Sequence, residues 1–303
     1  MSLTRYDEKF FDCRKSQIIA HLDTRHVNVI PLFYNSYQST VEIYRQLFIE
    51  NKTKWKYSEP SLSDQDLARI GITPNRLCFE SFKHASPYLN EKLHDQKVVF
   101  LWGDEYYLPY RTEAFHAIHS THSLVVTGYH EPSREYYVED WDGLYGYLSS
   151  FYVESAFDSL SEQMRSILVL DVHEEDRDTD KSEDIRVFLR WLHAFEDDYA
   201  FYDRIRCQMH GYDERQLTSM DHSFRLIAAS RYVFSKFLRY IDYHPEEIAT
   251  LLNSHQLANN IATIIRRYMV ARKVDWNSLN DRIRQLREQE EGFLQRLKRS
   301  YAS

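Results

Sequence analysis

Residues 120–143, with the sequence STHSLVVTGYHEPSREYYVEDWDG, decide how the N-terminal half of this chain folds. The apolar run at 124–126 predicts a buried strand, and residues 136–138 predict a second strand that returns beside it after a turn. His122 opens the first strand, and Asp140 ends the second. Because these positions lie at the same end of an antiparallel hairpin, the sequence predicts an imidazole that is oriented by a neighbouring carboxylate.

Cys13 stands far upstream of this hairpin and is the candidate nucleophile. The sequence DCRKSQIIAHL, which begins at Asp12, predicts a short helix that starts near Cys13. The free N–H groups and the dipole of a helix N-terminus favour a thiolate there. A lone cysteine at a helix start is more often inert, but the ordered set of Cys13, His122 and Asp140 has the residue types of a nucleophilic triad.

Length, charge and cysteine content limit the possible classes of protein. A chain of 303 residues suits one large or two moderate domains. The net charge of −8 argues against nucleic-acid binding, which depends on clustered Lys and Arg. The sequence has no signal-peptide core and no apolar run of about 18 residues, so we expect a cytoplasmic protein without membrane contact. Three widely spaced cysteines support neither a disulfide framework nor a zinc site.

The order of predicted elements indicates an α+β fold followed by helices. Helical patterns come first, and strands are then predicted at 98–102, in the hairpin, at 145–148 and at 166–172. The charged run HEEDRDTDKSED at 173–184 marks a predicted domain boundary, with a solvated loop inside one domain as the alternative. We therefore predict a catalytic domain at 1–175 and an α-helical bundle at 184–303.

The spacing of His116, His119 and His122 permits a rival interpretation as a metal site. Two of these rings can share a helix face, but the third is rotated away from it. The glutamate of the HExxH zinc motif is also absent. We therefore predict no metal, and we expect His116 and His119 to lie in a loop at the mouth of the cleft.

Several residues around the hairpin are candidates for binding substrate. Asp104 and Glu105 follow a buried strand, where they can bind a cationic amine or simply be solvated. Tyr110 and Trp141 present aromatic faces that suit sugar or peptide groups, and a role in the core or at its rim is the alternative. We select Asp104, Tyr110 and Trp141 as the substrate-binding residues.

Four elements resemble, in order, the N-terminal domain of the butirosin biosynthesis protein H family. They are Cys13 near the start, the Leu-Pro-Tyr segment at 108–110, the strand at 122–129 that runs from a histidine to Gly-Tyr, and the strand that ends in Asp140. The likeness covers about residues 10–172. The wider kinship is with papain-like cysteine peptidases.

The resemblance implies a papain-like fold and a cofactor-independent acyltransferase of specialised biosynthesis, such as that of antibiotics, nonribosomal peptides or polyketides. It implies that Cys13 is the nucleophile, that His122 is the general base and acid, and that Asp140 orients the imidazole. The acyl group would come from the phosphopantetheine thioester of an acyl or peptidyl carrier protein. It would pass through an acyl-cysteine to a small-molecule amine.

Other functions remain open at this point. A cysteine peptidase or thioesterase would use the same three residues to transfer an acyl group to water. A non-catalytic scaffold would only bind a carrier protein through the helical domain. Basic residues at 266–267 and 282–287 can dock an acidic carrier protein, although the adjoining glutamates, which include Glu290, favour an ordinary solvated helix face.

Overall fold

The computed structural model describes residues 12–140, 145–173 and 181–301. Over these ranges the chain forms two compact units. The first unit contains residues 13–28, 64–140 and 145–173, and the second contains residues 29–63 and 181–301. Residues 29–63 belong to the second unit although they precede the predicted boundary, and the division into domains 1–175 and 184–303 stays a prediction.

The first unit is built on an antiparallel sheet, which has six strands within the described residues. The strands are β1 (Ile72–Cys78), β2 (Val99–Asp104), β3 (Thr121–His130), β4 (Glu135–Glu139), β5 (Tyr145–Ser149) and β6 (Ser166–Val172). Their order across the sheet is β1-β6-β2-β3-β4-β5. The predicted hairpin is therefore the pair β3 and β4, and β5 forms the sheet edge next to it.

The three longest α-helices of the described residues lie in the second unit. The α-helices are α1 (Cys13–Thr24), α2 (Thr40–Tyr44), α3 (Asp64–Arg69), α4 (Phe82–His94), α5 (Ser150–Asp158), α6 (Lys181–Ala194), α7 (Ala200–Gln208), α8 (Glu214–Tyr240), α9 (Pro245–Ala271) and α10 (Trp276–Ser300). An antiparallel sheet with a helical C-terminal region confirms the predicted α+β class. None of the described helices is both long enough and apolar enough to cross a membrane.

Strand β3 is buried on both of its faces. Leu124 and Val126 are fully buried in the core that the sheet shares with α4 and α5. Val125 is equally buried on the opposite face, where α1 packs against the sheet and His21 meets the ring of Phe100 edge-on. Covering both faces explains why this strand is continuously apolar instead of alternating.

Strand β1 has no clear signal in the sequence. Its seven residues, ITPNRLC, include three polar residues and Pro74, and only the first of them is buried. This composition fits an outer strand, since β1 pairs only with β6 within the described sheet. Polar residues and proline are tolerated at such an edge because one side of the strand carries no ladder of hydrogen bonds.

Candidate active site

Helix α1 begins at Cys13, as predicted, and the thiol is half-buried. Two hydrogen bonds tie the first two turns of this helix to β3. Gln17 Nε2 donates to the backbone carbonyl of Ser123 over 2.8 Å, and Arg14 Nε donates to the hydroxyl of Ser123 over 2.6 Å. Because Ser123 directly follows His122, these contacts hold the start of α1 beside that histidine.

His122 and Asp140 form the contact that the hairpin predicts. The Nε2 atom of His122 lies 2.8 Å from each carboxylate oxygen of Asp140, and both side chains are buried. The register pairs Val125 with Glu139. This pairing brings the start of β3 against the residue that follows β4.

The protonation of His122 depends on both of its neighbours. Burial lowers the pKa of His122, but hydrogen bonds with Asp140 and Cys13, together with their negative charges, raise it to about 10. Because Asp140 takes Nε2, Nδ1 is the nitrogen left for Cys13. The imidazolium is therefore the stable form at neutral pH, and it can pair with a thiolate or protonate a leaving group.

A second carboxylate, that of Glu105, approaches the other side of His122. Its Oε1 atom lies 3.7 Å from His122 Nδ1. The same oxygen accepts a hydrogen bond from Arg111 Nε over 2.8 Å, and Arg111 Nη2 lies 2.6 Å from it in an ion pair. Arg111 Nη1 in turn lies 3.8 Å from Asp140 Oδ2. Arg111 thus links the two carboxylates that flank the imidazole, and nothing in its sequence spacing indicates this role.

Asp104 anchors the loop that follows β2. Its carboxylate accepts hydrogen bonds from the backbone N–H groups of Tyr106 and Ser120, each at 3.1 Å, and lies 2.6 Å from His119 Nδ1. The side chain is 7% exposed, so the alternative of a solvated carboxylate is wrong. Protein donors surround its oxygens, and its role in binding an amine stays a prediction.

The three histidines of the predicted loop do not converge on one point. His119 stacks on Tyr106 with the ring centroids 4.2 Å apart, and His116 meets the same ring edge-on at 5.1 Å. Across the described ranges, no group of three or more His, Cys, Asp or Glu side chains is arranged to hold a metal ion. His116 and His119 therefore pack within the loop, and only His122 enters the Cys13 site.

Comparison with known proteins decides the family. Residues 36–141 match the family model described as butirosin biosynthesis protein H, N-terminal. A relative from Niallia circulans is 64% identical over 301 residues, which cover 99% of this chain and 100% of the relative. The chain belongs to the butirosin biosynthesis protein H family. The resemblance found in the sequence is therefore confirmed.

The relative within this family carries a descriptive name. It is a ribostamycin:4-(gamma-L-glutamylamino)-(S)-2-hydroxybutanoyl-[BtrI acyl-carrier protein] 4-(gamma-L-glutamylamino)-(S)-2-hydroxybutanoate transferase. The family model covers His122 and Asp140 but begins after Cys13. The full-length likeness extends to the region of Cys13 and to the C-terminal helices.

Tyr110 lies at a small cavity beside the edge strand of this family member. The cavity has a volume of about 190 Å³, and its walls include Pro109, Tyr110, Tyr145 and Tyr147. Tyr145 and Tyr147 are 69% and 63% exposed, so aromatic faces are open to a ligand there. Trp141 lies outside the described residues. The substrate-binding roles of Tyr110 and Trp141 stay predictions.

Proposed function

We propose that this chain is a cysteine-dependent acyltransferase that moves an acyl group from a carrier-protein thioester to an amine of an aminoglycoside. The observation that carries the proposal is the relative that is 64% identical over 99% of the chain. The name of that relative gives ribostamycin as the acceptor and an acyl-carrier protein as the donor. The neighbouring side chains of Cys13, His122 and Asp140 offer the groups that such a transfer needs, in the papain-like arrangement that we propose for them.

In the first step, the Cys13 thiolate attacks the carbonyl carbon of the carrier-bound thioester. The carbon–sulfur bond to the phosphopantetheine breaks, and His122 gives its proton to the leaving thiolate. Asp140 holds the ring so that Nδ1 faces the sulfur. In this proposal the backbone N–H of Cys13, at the start of α1, donates to the developing oxyanion. One thioester replaces another, so the acyl group reaches Cys13 at little energetic cost.

In the second step, the amine nitrogen of the acceptor attacks the acyl-cysteine carbonyl. Neutral His122 takes a proton from this nitrogen, and the carbon–sulfur bond to Cys13 breaks. The products are the amide and a Cys13 thiolate paired with the His122 imidazolium. The starting ion pair is thereby restored, and no cofactor enters either step.

The proposed reaction implies particular partners and a particular cellular compartment. Its partners are an acyl carrier protein and a small-molecule amine, and neither nucleic acid nor membrane takes part. Cys13, Cys78 and Cys207 are free thiols, which fits a reducing compartment. We place the reaction in the cytoplasm as part of the same proposal.

Intact-mass analysis tests the proposal in two stages. Incubation with an acyl-pantetheine thioester is expected to add one acyl group to the chain, and ribostamycin is then expected to remove it as an amide. Loss of the acyl group at the same rate with and without ribostamycin would contradict transfer and favour a thioesterase. The absence of any adduct across a panel of thioesters would favour a protein that only binds.

Asp140→Asn is expected to slow acylation of Cys13 by about 10- to 100-fold, because the amide still holds the imidazole but no longer stabilises the imidazolium. Losing the carboxylate also lowers the pKa of His122 from its value of about 10. Acylation needs protonated His122, so its rate is expected to fall at a lower pH in the variant than in the wild type. The acylation rate measured against pH checks both effects.

The matched control for this variant is Glu131→Gln, which removes an exposed carboxylate from the turn of the same hairpin. It is expected to keep the wild-type rate and the wild-type pH profile. If the acylation rate of Asp140→Asn falls at the same alkaline pH as that of the wild type, then Asp140 does not set the protonation of His122.

A further inference from the structure

Glu105 occupies the position from which a cationic substrate can reach His122. Its Oε1 is held by Arg111 and lies 3.7 Å from His122 Nδ1, the nitrogen that serves Cys13. Among the described residues, the hydrogen bond to this carboxylate uses Oε1 and leaves Oε2 open, and the side chain is 12% exposed. We propose that Glu105 binds the protonated amine of the acceptor. This inference rests on the proposed acyl transfer. It assigns Glu105 as the residue that recognises the amine to which the acyl group is transferred.

The charges at the site favour a cation once Cys13 is acylated. The acyl-cysteine is neutral, and His122 has given its proton to the leaving thiolate. Acylation also removes the hydrogen bond and the negative charge of Cys13 that help to raise the pKa of His122, so the neutral imidazole is easier to reach. Among the described groups that flank the imidazole, Arg111 then carries one positive charge, and Asp140 and Glu105 carry one negative charge each, so these three side chains sum to one negative charge. A protonated amine restores neutrality, and a largely buried carboxylate binds it through a charge-assisted hydrogen bond.

The other charged side chains that the structure describes near the site have partners of their own. Asp104 accepts hydrogen bonds from the backbone and a histidine of its own loop. Both oxygens of Asp140 face His122. Arg14 donates to the hydroxyl of Ser123, and its guanidinium lies 4.1 Å from the centroid of the Trp102 ring. Among these carboxylates, Glu105 is the one with an oxygen available to substrate.

Binding at Glu105 places the ammonium next to the base that must deprotonate it. The ammonium gives one proton to neutral His122, and the freed nitrogen forms a bond to the acyl carbon while the bond from that carbon to the sulfur of Cys13 breaks. The second proton that the nitrogen loses on becoming an amide passes to water. His122 keeps the first proton and pairs with the Cys13 thiolate, so protons and charges balance.

Glu105→Gln tests the inference, because it removes the charge but keeps an oxygen for Arg111. Acyl-enzyme is first formed with acyl-pantetheine, and deacylation is then followed by intact mass with two nucleophiles. Ribostamycin is cationic, whereas hydroxylamine is uncharged at neutral pH. We expect the variant to slow deacylation by subsaturating ribostamycin by about 10- to 100-fold, as for loss of a charge-assisted hydrogen bond. Acylation and deacylation by hydroxylamine are expected to change by less than about threefold.

Two further variants sharpen the test. Glu113→Gln neutralises an exposed carboxylate of the same loop and is expected to match the wild type with both nucleophiles. Glu105→Asp keeps the charge and is expected to recover part of the ribostamycin rate, which also guards against a folding defect in Glu105→Gln.

Other outcomes would contradict either amine binding at Glu105 or the proposed function itself. Glu105→Gln could slow acylation and deacylation by both nucleophiles to the same extent. That result would show that Glu105 positions His122 and would contradict amine binding. Full activity of the variant with ribostamycin would do the same. If the wild type forms no acyl-enzyme, or its acyl-enzyme ignores ribostamycin, then the proposed function itself fails and this inference falls with it.

Discussion

Cys13→Ala is expected to form no acyl-enzyme and to transfer less than about one thousandth as much acyl group to ribostamycin as the wild type, because the variant lacks the atom that carries the acyl group between the two steps. Intact mass after incubation with acyl-pantetheine measures the first effect. The amount of amide formed per mole of protein measures the second. Alanine is a good helix former, so α1 is expected to stay folded in this variant.

The two other cysteines supply matched controls for this experiment. Cys78 and Cys207 are free and exposed thiols, so nonspecific acylation would occur there first. Cys78→Ala and Cys207→Ala are expected to keep both the adduct and the transfer to ribostamycin. An adduct that survives in Cys13→Ala and disappears in either of these variants would move the nucleophile away from Cys13.

The sequence predicts the centre of the site because its parts are local. The register of a hairpin determines which residues lie side by side. The contact between His122 and Asp140 can therefore be predicted from the ends of the two strands and the turn between them. The position of Cys13 at the start of a helix can also be predicted from the sequence. The approach of Cys13 to His122 depends on tertiary contacts, and the order of residue types together with the family resemblance was needed to expect it.

The residues around the site cannot be predicted from the sequence in the same way. Arg111 reaches Glu105 and Asp140 from an irregular loop, and no periodic pattern marks such contacts. Asp104 appears in sequence as a polar loop residue, yet its carboxylate is buried as a cap for loop N–H groups. Strand β1 gives no clear signal because it contains Pro74 and three polar residues, which an edge strand tolerates. In each case tertiary contacts override the local signal.

The largest departure from the sequence is a buried ion pair in the second unit. The pattern of charges on α10 predicts a solvated face, but Glu290 and Arg231 are both fully buried. The guanidinium meets the carboxylate at two points, with Nε to Oε1 at 2.6 Å and Nη2 to Oε2 at 2.9 Å. Arg231 also donates to the carbonyl of Gln38 and lies 3.6 Å above the ring of Tyr37. The prediction of a solvated face is therefore wrong at Glu290.

Glu290→Ala is expected to lower the free energy of unfolding of the helical unit by about 3–5 kcal/mol, because the variant leaves a buried guanidinium without its counter-charge. Arginine cannot escape this cost by losing its proton. The hydroxyl of Tyr202, which donates to Glu290 over 2.5 Å, loses its acceptor as well. Urea unfolding followed by far-UV circular dichroism, which reports mainly on the helices, measures the shift in midpoint.

Two comparisons separate the charge from other causes of destabilisation. Glu288→Ala removes an exposed glutamate from the same helix and is expected to change the free energy of unfolding by less than about 0.5 kcal/mol. The double variant Arg231→Met, Glu290→Met removes both charges and fills the space with apolar atoms, so it is expected to be more stable than Glu290→Ala. A loss below about 1 kcal/mol in Glu290→Ala would contradict an uncompensated buried charge. A double variant no more stable than Glu290→Ala would assign the cost to lost packing instead.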